Sequence, residues 1–402
     1  DTATTEIYTL SLHDALPIRP HDRRLRRTDR MKTQKTVWVV SDGKPGHFNQ
    51  SRGVLLALER LFEIRAEWVE VRLRSGLWRK PLTALLNRTH SPLPASVLTM
   101  SYAIESFPDS PPDLIVVAGG RAVFAAILLA RCYNAGLLYC GSLRGLDPRH
   151  FTAAMTLEQQ ADHPANLVLE VPPTLVDRQE LARRGTALRS TLAATGTPPT
   201  TPLWTVLIGG DGAGYTYTVA HWEELGSALS ALANRLGARL LITTSRRTGA
   251  TAERALRDAV DPTYIADAVW YSDAPRAITQ DYLGAADVVF ATIDSMSMIM
   301  ETVSAGRPLF AIEPPGGRPD GRYLDAITRL ADAKRLRRIA LDQFSVQSIR
   351  AEEFRLLTND PADVLAARLA PRLGAHYPNS PSNSPAPTPS SASSPPATRR
   401  CE

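Results

Sequence analysis

A loop between a predicted strand and a predicted helix contains the residues best suited to acid–base chemistry. In "VWVVSDGKPGHFNQSRGVLLAL" (residues 37–58), Asp42 and His47 lie where a β-branched run stops and a helical pattern begins. Imidazole titrates near neutral pH, so His47 is a plausible general base. Gly43 and Gly46 would let backbone N–H groups approach a ligand, and the lysine between them adds a cation. The alternative is a tight turn in which the glycines only bend the chain and His47 caps or packs.

The densest glycine cluster of the chain, "GGDGAG" at residues 209–214, also follows a predicted strand. It is not a dinucleotide fingerprint, because G-x-G-x-x-G spacing from Gly210 and Gly212 would require glycine where Tyr215 stands. It is not a Walker loop either, since no Gly-Lys-Ser/Thr follows. The cluster can still form a nest of bare N–H groups that binds phosphate.

Two other loops follow predicted strands. Gly119-Gly120-Arg121 ends "DLIVVAGGR", and such glycine pairs are common in plain turns as well as at ligands. Ser245 and Arg246 lie in "TTSRRT", where hydroxyls and guanidinium groups suit a diphosphate. A solvated surface loop is the alternative for this second segment.

The last predicted strand–helix unit, "ADVVFATIDSMSMIMETVSAGRPLF", contains a carboxylate suited to a ribose. Asp294 and Ser295 are predicted to cap the helix. Glu301 lies about two turns further along, where its carboxylate can accept hydrogen bonds from a ribose diol. The alternative is that Glu301 is an ordinary solvated helix residue.

Strand and helix patterns alternate along the chain, which predicts an α/β fold with mainly parallel sheets. The strand pattern breaks at residues 181–202 and then restarts, so we expect two Rossmann-like domains that face a cleft. Ligands of such sheets bind outside the carboxyl ends of the strands. The predicted organisation is a non-native or disordered leader (1–30), an N-terminal Rossmann-like domain (31–180), a linker (181–202), a C-terminal Rossmann-like domain ending in a helix (203–375) and a disordered Pro/Ser tail (376–402).

Composition excludes several classes of protein. The chain has 402 residues, 44% of them hydrophobic, and a net charge of only +5, so its folded body is not a basic nucleic-acid binder. Its three cysteines fit neither a zinc site nor a disulfide framework, which points to a reducing compartment. No apolar run is long enough to span a bilayer. We therefore expect a cytoplasmic protein, held peripherally at the inner membrane if Trp78, Arg79 and Lys80 contact lipid rather than pack in a loop.

Four segments of the chain resemble a known family. Residues 38–58, 112–131, 243–249 and 286–310 look like the bacterial branch of the mitochondrial-fission "elongated mitochondria" family, often labelled predicted nucleoside-diphosphate-sugar epimerases. The similarity runs from about residue 36 to about residue 375. More distantly, the same landmarks are similar to GT-B glycosyltransferases that add N-acetylglucosamine to the peptidoglycan lipid precursor. The chain departs from these enzymes at Asp294-Ser295, where they usually have Ser-Gly.

The resemblance implies that the co-substrate is a nucleoside-diphosphate sugar, with no metal and no further cofactor. It places the acceptor, either a soluble or a lipid-linked molecule, in the first half, where His47 or Asp42 would take the proton of the acceptor hydroxyl. The donor site would comprise Gly209, Gly210, Gly212, Ser245, Arg246, Asp294, Ser295 and Glu301. The acceptor-side residues would be Gly43, Lys44, Gly46, Asn49, Gln50, Gly119, Gly120 and Arg121.

Two other functions stay open. The first is a non-catalytic scaffold of the fission family that keeps the fold and has lost its chemistry. The second is a nucleoside-diphosphate-sugar epimerase. The failed glycine fingerprint and the absence of a Tyr-x-x-x-Lys pair count against an epimerase of the short-chain type.

Overall fold

The computed structural model describes residues 32–345, 349 and 354–374, and the predicted leader (1–30) and tail (376–402) lie outside them. The first sheet has seven strands in the order β3-β2-β1-β4-β5-β6-β7, and only the β2–β3 pair is antiparallel. Its strands are β1 (Gln34–Ser41), β2 (Glu63–Leu73), β3 (Tyr102–Ile104), β4 (Leu114–Ala118), β5 (Gly136–Cys140), β6 (Ala153–Thr156) and β7 (Asn166–Val168).

The second sheet has six strands, all parallel, in the order β10-β9-β8-β11-β12-β13. The predicted α/β fold with two Rossmann-like, largely parallel sheets is therefore confirmed. The strands are β8 (Leu203–Leu207), β9 (Arg239–Thr243), β10 (Ile265–Val269), β11 (Val288–Thr292), β12 (Leu309–Glu313) and β13 (Arg337–Ala340).

Helices cover both faces of each sheet, as parallel strands require. They are α1 (Pro45–Glu59), α2 (Arg79–Arg88), α3 (Ala95–Ser101), α4 (Val123–Tyr133), α5 (Arg178–Ala194), α6 (Val219–Leu236), α7 (Ala250–Ala259), α8 (Thr279–Ala285), α9 (Met296–Ser304), α10 (Gly321–Asp332) and α11 (Pro361–Leu369).

The strand β1 shows why this sheet lies between two helical layers. Trp38 and Val40 are fully buried in one hydrophobic core, whereas Val37 and Val39 are fully buried in the core on the opposite face. Because side chains alternate along a strand, an unbroken apolar run such as VWVV is stable only with both faces covered.

Each sheet reverses its strand order once, which defines two switch points. The first switch point lies between β1 and β4, and the second lies between β8 and β11. Loops that follow these strands diverge to opposite faces of the sheet and leave a crevice at the carboxyl ends, where open α/β sheets bind ligands.

The segment predicted as a linker is largely helical. Its helix α5 packs closely on α8, and a Cβ atom added to Gly185 would lie 2.1 Å from the carbonyl carbon of Gly284. A glycine pair permits this approach because neither residue has a side chain in the way.

The last helix returns to the first half, although the sequence pattern predicts it as the end of the second domain. In α11, Leu365 and Leu369 are buried in the same core as α1. Polar contacts fix this return, because the Arg178 backbone N–H donates to Asp360 Oδ2 at 2.9 Å and Arg60 pairs with both Asp177 and Asp363, at 2.9 and 3.0 Å.

Candidate functional site

The first switch point holds a carboxylate–imidazole pair. Asp42, the residue after β1, accepts a hydrogen bond at Oδ1 from Nδ1 of His47 at 2.8 Å. The side chain of Asp42 is 7% exposed and that of His47 is 29% exposed. Burial raises the pKa of Asp42, but the hydrogen bond and charge of His47, together with Lys44, outweigh it and lower that pKa overall. Asp42 therefore stays ionised, and Nδ1 of His47 carries the proton, which leaves the Nε2 lone pair to act as a base.

The loop after β4 completes this switch point by supporting the imidazole. Gly119 has a φ of +87°, and a Cβ atom added there would lie 2.2 Å from Cε1 of His47. Glycine is required at this position for two reasons, since the backbone is left-handed and the ring occupies the place of a side chain. The two loops that the sequence analysis considers separately thus form one structure around His47.

The helix α1 begins earlier than the pattern indicates, because Pro45 takes the first helical position and Lys44 precedes it without a side-chain cap. His47 and Gly46 therefore lie in the first helical turn and not in a loop. Gly46 is exposed, has no positive φ, and no protein atom lies within 4 Å of an added Cβ atom. The fold itself gives no reason for glycine here. Lys44 and Arg121 are exposed, and Asn49 and Gln50 are half-buried.

The second switch point is built around a buried carboxylate. Asp294, which follows β11, pairs with Arg247 through Oδ2 at 2.7 Å and is only 3% exposed. Burial raises the pKa of Asp294, although Thr292 and Arg247 act in the opposite direction. A Cβ atom added to Gly209 would lie 2.3 Å from Oδ2 of Asp294, and one added to Gly212 would lie 2.0 Å from Nη1 of Arg247. Two glycines of the cluster thus make room for this ion pair.

The two arginines of the loop after β9 have different surroundings. Arg247 makes the ion pair and also donates to the carbonyl of Asp211 at 3.0 Å. Arg246 is exposed and has no ion pair with any residue in the described part of the chain. Ser245 donates its hydroxyl to the Gly209 carbonyl, as does Thr248 at 2.7 Å. These hydroxyls join the loops after β8 and β9.

The predicted cap of α9 is wrong. Asp294 is held by Arg247, and Ser295, at the N-cap position, makes no side-chain cap hydrogen bond. Asp177, Thr218, Asp320 and Asp360 cap α5, α6, α10 and α11. The helices α1, α4 and α9, which follow the switch-point strands β1, β4 and β11, have no such cap, and neither do α2, α3, α7 and α8. Their first N–H groups stay available to an anion.

Glu301 is a half-buried carboxylate on α9, four residues from the exposed Ser297 and so on the same helix face. No hydrogen bond or ion pair joins its carboxylate to any residue that the structure describes. Burial raises its pKa to about 7, and no charged side chain contributes to the shift. An ionised carboxylate in this setting lowers the stability of the folded protein, and no contact with the described residues offsets the loss. Such groups are typical of functional sites.

A cavity of about 670 Å³ lies between the two halves, as the predicted cleft requires. Residues after β5 and β6 line one side, and Arg322, Asp325 and Arg329 of α10 line the other. Arg329 crosses the gap to pair with Glu158 at 2.7 Å. Gln50 also lines the cavity and lies three residues after His47 on α1, so the imidazole stands on the adjacent helix surface.

Two functional candidates were missed by sequence reasoning. Arg247 is adjacent to the predicted Arg246, and the conformation of the loop determines that Arg247 is the one that pairs with Asp294. Arg144 lines the cleft cavity and has a φ of +49°, which is unusual for a residue other than glycine. Its setting in "CGSLRGLDP", between glycines after a buried strand, was the available signal.

Comparison with known proteins gives the family. A sequence profile described as Mitochondrial fission ELM1 matches residues 45–372, most of the chain. The chain belongs to this family. No curated protein matches this ELM1-family chain. Among its described residues, no helix has the length and apolar character needed to cross a membrane.

Solved structures resemble this ELM1-family protein only distantly. UDP-GlcNAc 2-epimerase from Methanocaldococcus jannaschii is 10% identical, with a TM-score of 0.47 over 82% of this chain and 95% of that chain. ADP-heptose lps heptosyltransferase II from E. coli is 12% identical, with a TM-score of 0.40 over 84% and 98%. The glycosyltransferase SnogD from Streptomyces nogalater is 13% identical, with a TM-score of 0.43 over 85% and 95%.

Proposed function

We propose that this protein binds a nucleoside-diphosphate sugar at the second switch point and transfers the sugar, without a metal, to an acceptor hydroxyl at the first. The observation that carries the proposal is Glu301. It is a half-buried carboxylate without a hydrogen-bond or ion-pair partner among the residues that the structure describes, and it lies on α9, whose N-terminus has no side-chain cap. A ligand with both an anionic group and a diol could bind the helix N-terminus through the first and Glu301 through the second.

The spacing along α9 suits such a ligand. From Met296 to Glu301 the helix rises about 7 Å, which is comparable with the reach from the diphosphate to the ribose diol of one nucleotide. The diphosphate would accept hydrogen bonds from the free N–H groups of the first turn. Arg247, whose side chain is 40% exposed, is a cation held at the second switch point by its ion pair with Asp294. The ionised carboxylate of Glu301 would accept a hydrogen bond from each hydroxyl of the diol.

Transfer would use the first switch point. Nε2 of His47 would take the proton of the acceptor hydroxyl as its oxygen forms the new bond to the anomeric carbon of the sugar. The bond from that carbon to the diphosphate oxygen breaks, and the electron pair leaves with the nucleoside diphosphate. Asp42 would hold the imidazole in the required tautomer and stabilise the imidazolium that forms. The α9 N-terminus and Arg247 would offset charge on the leaving diphosphate.

The proposal is tested first by thermal shift with UDP, GDP and ADP in the presence of EDTA. A nucleotide at about 100 times its Kd should stabilise the protein by about 2.7 kcal/mol, which moves the melting temperature by several degrees. Glu301→Gln should abolish the shift, whereas the exposed Glu224→Gln should keep it. If no nucleotide raises the melting temperature of the wild-type protein, the donor site is wrong and the scaffold function takes its place.

The reaction type needs a second measurement with the sugar nucleotide that binds. Transfer releases the nucleoside diphosphate in proportion to a glycosylated product, and NMR of the recovered donor shows whether the sugar has changed configuration. An epimerised donor with no released nucleotide would replace transfer by epimerisation.

Replacing Gly46 by alanine tests whether the acceptor approaches the start of α1. The variant should be as stable as the wild type or more stable by up to about 0.5 kcal/mol, because alanine favours helix over glycine. The KM for the acceptor should rise at least tenfold, because a methyl group now occupies the open space at this turn. Gly321→Ala, at the equally open first position of α10, is the matched control. An unchanged acceptor KM would remove Gly46 from the acceptor site.

A further inference from the structure

The imidazole of His47 and the guanidinium group of Arg144 pack against consecutive glycines of the loop after β4. A Cβ atom added to Gly119 would lie 2.2 Å from Cε1 of His47. One added to Gly120 would lie 3.5 Å from Nε and 3.6 Å from Cζ of Arg144. Because consecutive Cα atoms are only about 3.8 Å apart, the proposed base has a cation beside it at the first switch point. The proposed mechanism gives this cation no role.

The loop that presents Arg144 is fixed on both sides of this residue. The hydroxyl of Tyr139 donates to the Ser142 carbonyl at 2.8 Å, and the amide of Asn87 on α2 donates to the Gly145 carbonyl at 2.7 Å. Arg144 itself has a φ of +49°, in the left-handed region that residues other than glycine rarely adopt. Strain of this kind persists only where the surroundings impose it, and it is common at binding sites.

A histidine fixes the orientation of the Asn87 amide. Oδ1 of Asn87 accepts the Asp147 N–H at 3.0 Å, so Nε2 of His150, at 3.1 Å from the same oxygen, is the protonated nitrogen of its ring. Nδ1 of His150 then accepts a hydrogen bond from Arg131 at 3.3 Å. Burial and the charge of Arg131 lower the pKa of His150 to about 4, so the ring stays neutral at neutral pH. The network therefore directs the NH2 group of Asn87 at the Arg144 loop.

Arg144 is unpaired among the residues that the structure describes. Its side chain makes no ion pair or hydrogen bond there, although Arg149 in the same loop pairs with Asp147 at 2.6 Å. In the cleft cavity that Arg144 lines, Arg329 pairs with Glu158 at 2.7 Å. The acids nearest in the loop and across the cavity are thus taken by other arginines. A planar guanidinium donates two parallel hydrogen bonds to an oxyanion, so a ligand oxyanion is the partner that suits Arg144.

We infer that the acceptor is an acidic saccharide, in which Arg144 binds a carboxylate or phosphate ester of the sugar unit that has the reacting hydroxyl, or of the next unit. His47 and Arg144 would then bind two groups of one ligand, the hydroxyl and the oxyanion. The short separation of these groups follows from the contact of both side chains with consecutive residues. The inference rests on the proposed transfer reaction for the fate of the hydroxyl, but the preference for an acidic sugar can be measured by binding alone.

Isothermal titration calorimetry with the methyl glycoside of glucuronic acid tests the site. Methyl glucoside is the neutral reference, and methyl glucoside 6-phosphate is the second anion. The wild-type Kd should be lower by a factor of about ten or more for one of the two anions than for methyl glucoside, because hydrogen bonds to charged groups are the stronger ones. Arg144→Gln should remove this preference and leave the Kd for methyl glucoside unchanged. Arg88→Gln, at an exposed position of α2 that does not line the cleft cavity, should keep the preference.

Arg144→Gly separates loss of the cation from damage to the loop. Glycine accepts the left-handed backbone without strain, so the melting temperature should stay the same or rise while the preference for the anion is lost. Lys334→Gly, at an exposed residue with a φ of +57°, is the matched control and should bind the acidic and neutral glycosides like the wild type.

The inference would be overturned by an absence of glycoside binding, by equal affinity for the acidic and neutral glycosides, or by an anion preference that survives in Arg144→Gln. A preference lost equally in Arg88→Gln would also overturn it, because general attraction to a positive surface would then explain the binding. Nucleotide thermal shift distinguishes the two proposals, since Arg144 lies at the first switch point and its substitution should leave the shift unchanged. A wild-type protein that prefers the acidic glycoside but shows no nucleotide shift would reject the transfer reaction and retain the saccharide site.

Discussion

Replacing Glu301 by glutamine is expected to stabilise the ligand-free protein and to abolish nucleotide binding. Burial raises the pKa of Glu301 to about 7, whereas the unfolded chain ionises a glutamate at about 4.3. Between these values the folded state binds the proton more tightly, so the cost of this carboxylate to folding grows as the pH rises and is complete above pH 7. Glutamine removes the charge and keeps the shape of the side chain. The free energy of unfolding should therefore rise by about 2 kcal/mol at pH 8 and change little at pH 4.

Urea unfolding at pH 4 and pH 8 measures this difference, and Glu224→Gln on α6 provides the control at an exposed site. Nucleotide affinity should change in the opposite sense. Wild-type affinity should rise between pH 6 and pH 8, because only the ionised carboxylate can accept hydrogen bonds from both hydroxyls of a diol. The terminal phosphate of the nucleotide also titrates near pH 6. A nucleoside-diphosphate sugar has no terminal phosphate monoester to titrate in this range, so the pH profile of its binding isolates Glu301.

A Glu301→Gln variant that is less stable at pH 8 would mean that the carboxylate has a structural partner, and the ribose assignment would fail. A variant that gains stability but keeps its nucleotide affinity would show that Glu301 does not contact the nucleotide, and this would also reject the ribose assignment. The proposed site thus makes two predictions of opposite sign for one substitution, as expected where stability is given up for function.

Replacing His47 by alanine should lower the rate of sugar transfer by a factor of about 10² to 10⁴, the range typical of a lost general base. The nucleotide thermal shift should be unchanged, because the donor is assigned to the other half of the chain. Asp42→Asn should retain the imidazole but lose the ionised acceptor that fixes its tautomer, so a large loss is expected there too. Rates of nucleotide release with the identified acceptor give both values.

His90→Ala, at an exposed histidine beyond the switch points, should retain the wild-type rate. Because the pKa of Asp42 is lowered, the dyad should persist to pH values below the usual range of an aspartate. Transfer at the wild-type rate in His47→Ala would remove the base from the mechanism. Loss of nucleotide binding in the same variant would instead place His47 at the donor.

The sequence reveals which loops follow strands, but not which of those loops meet. The glycines at 43, 119 and 209 mark strand ends through local signals, because a glycine after a β-branched run is readable in a short window. That Gly119 supports His47, and Gly209 supports Asp294, depends on β1 pairing with β4 and β8 pairing with β11. Strand order is set by packing across the whole sheet, which no local pattern encodes.

Side-chain direction in irregular segments could not be predicted from the sequence either. A helix or strand assigns neighbouring residues to known faces, so Glu301 could be placed relative to the start of α9. The loop "TTSRRT" has no such period, and its ion pair involves Arg247 and not Arg246. The prediction for Asp294 failed for a related reason, since a buried carboxylate beside an arginine is better satisfied by that charge than by a helix N-terminus.

The return of α11 to α1 means that the chain passes between the two halves twice. Both passages lie at one place, because Arg178 at the start of α5 bonds to Asp360 at the start of α11, and Arg60 holds Asp177 and Asp363 together. A single flexible connection would let the halves twist or slide, whereas we expect two connections joined side by side to limit a change in cleft width to a rotation about them. Opening and closing would then bring His47 and α9 together along one path.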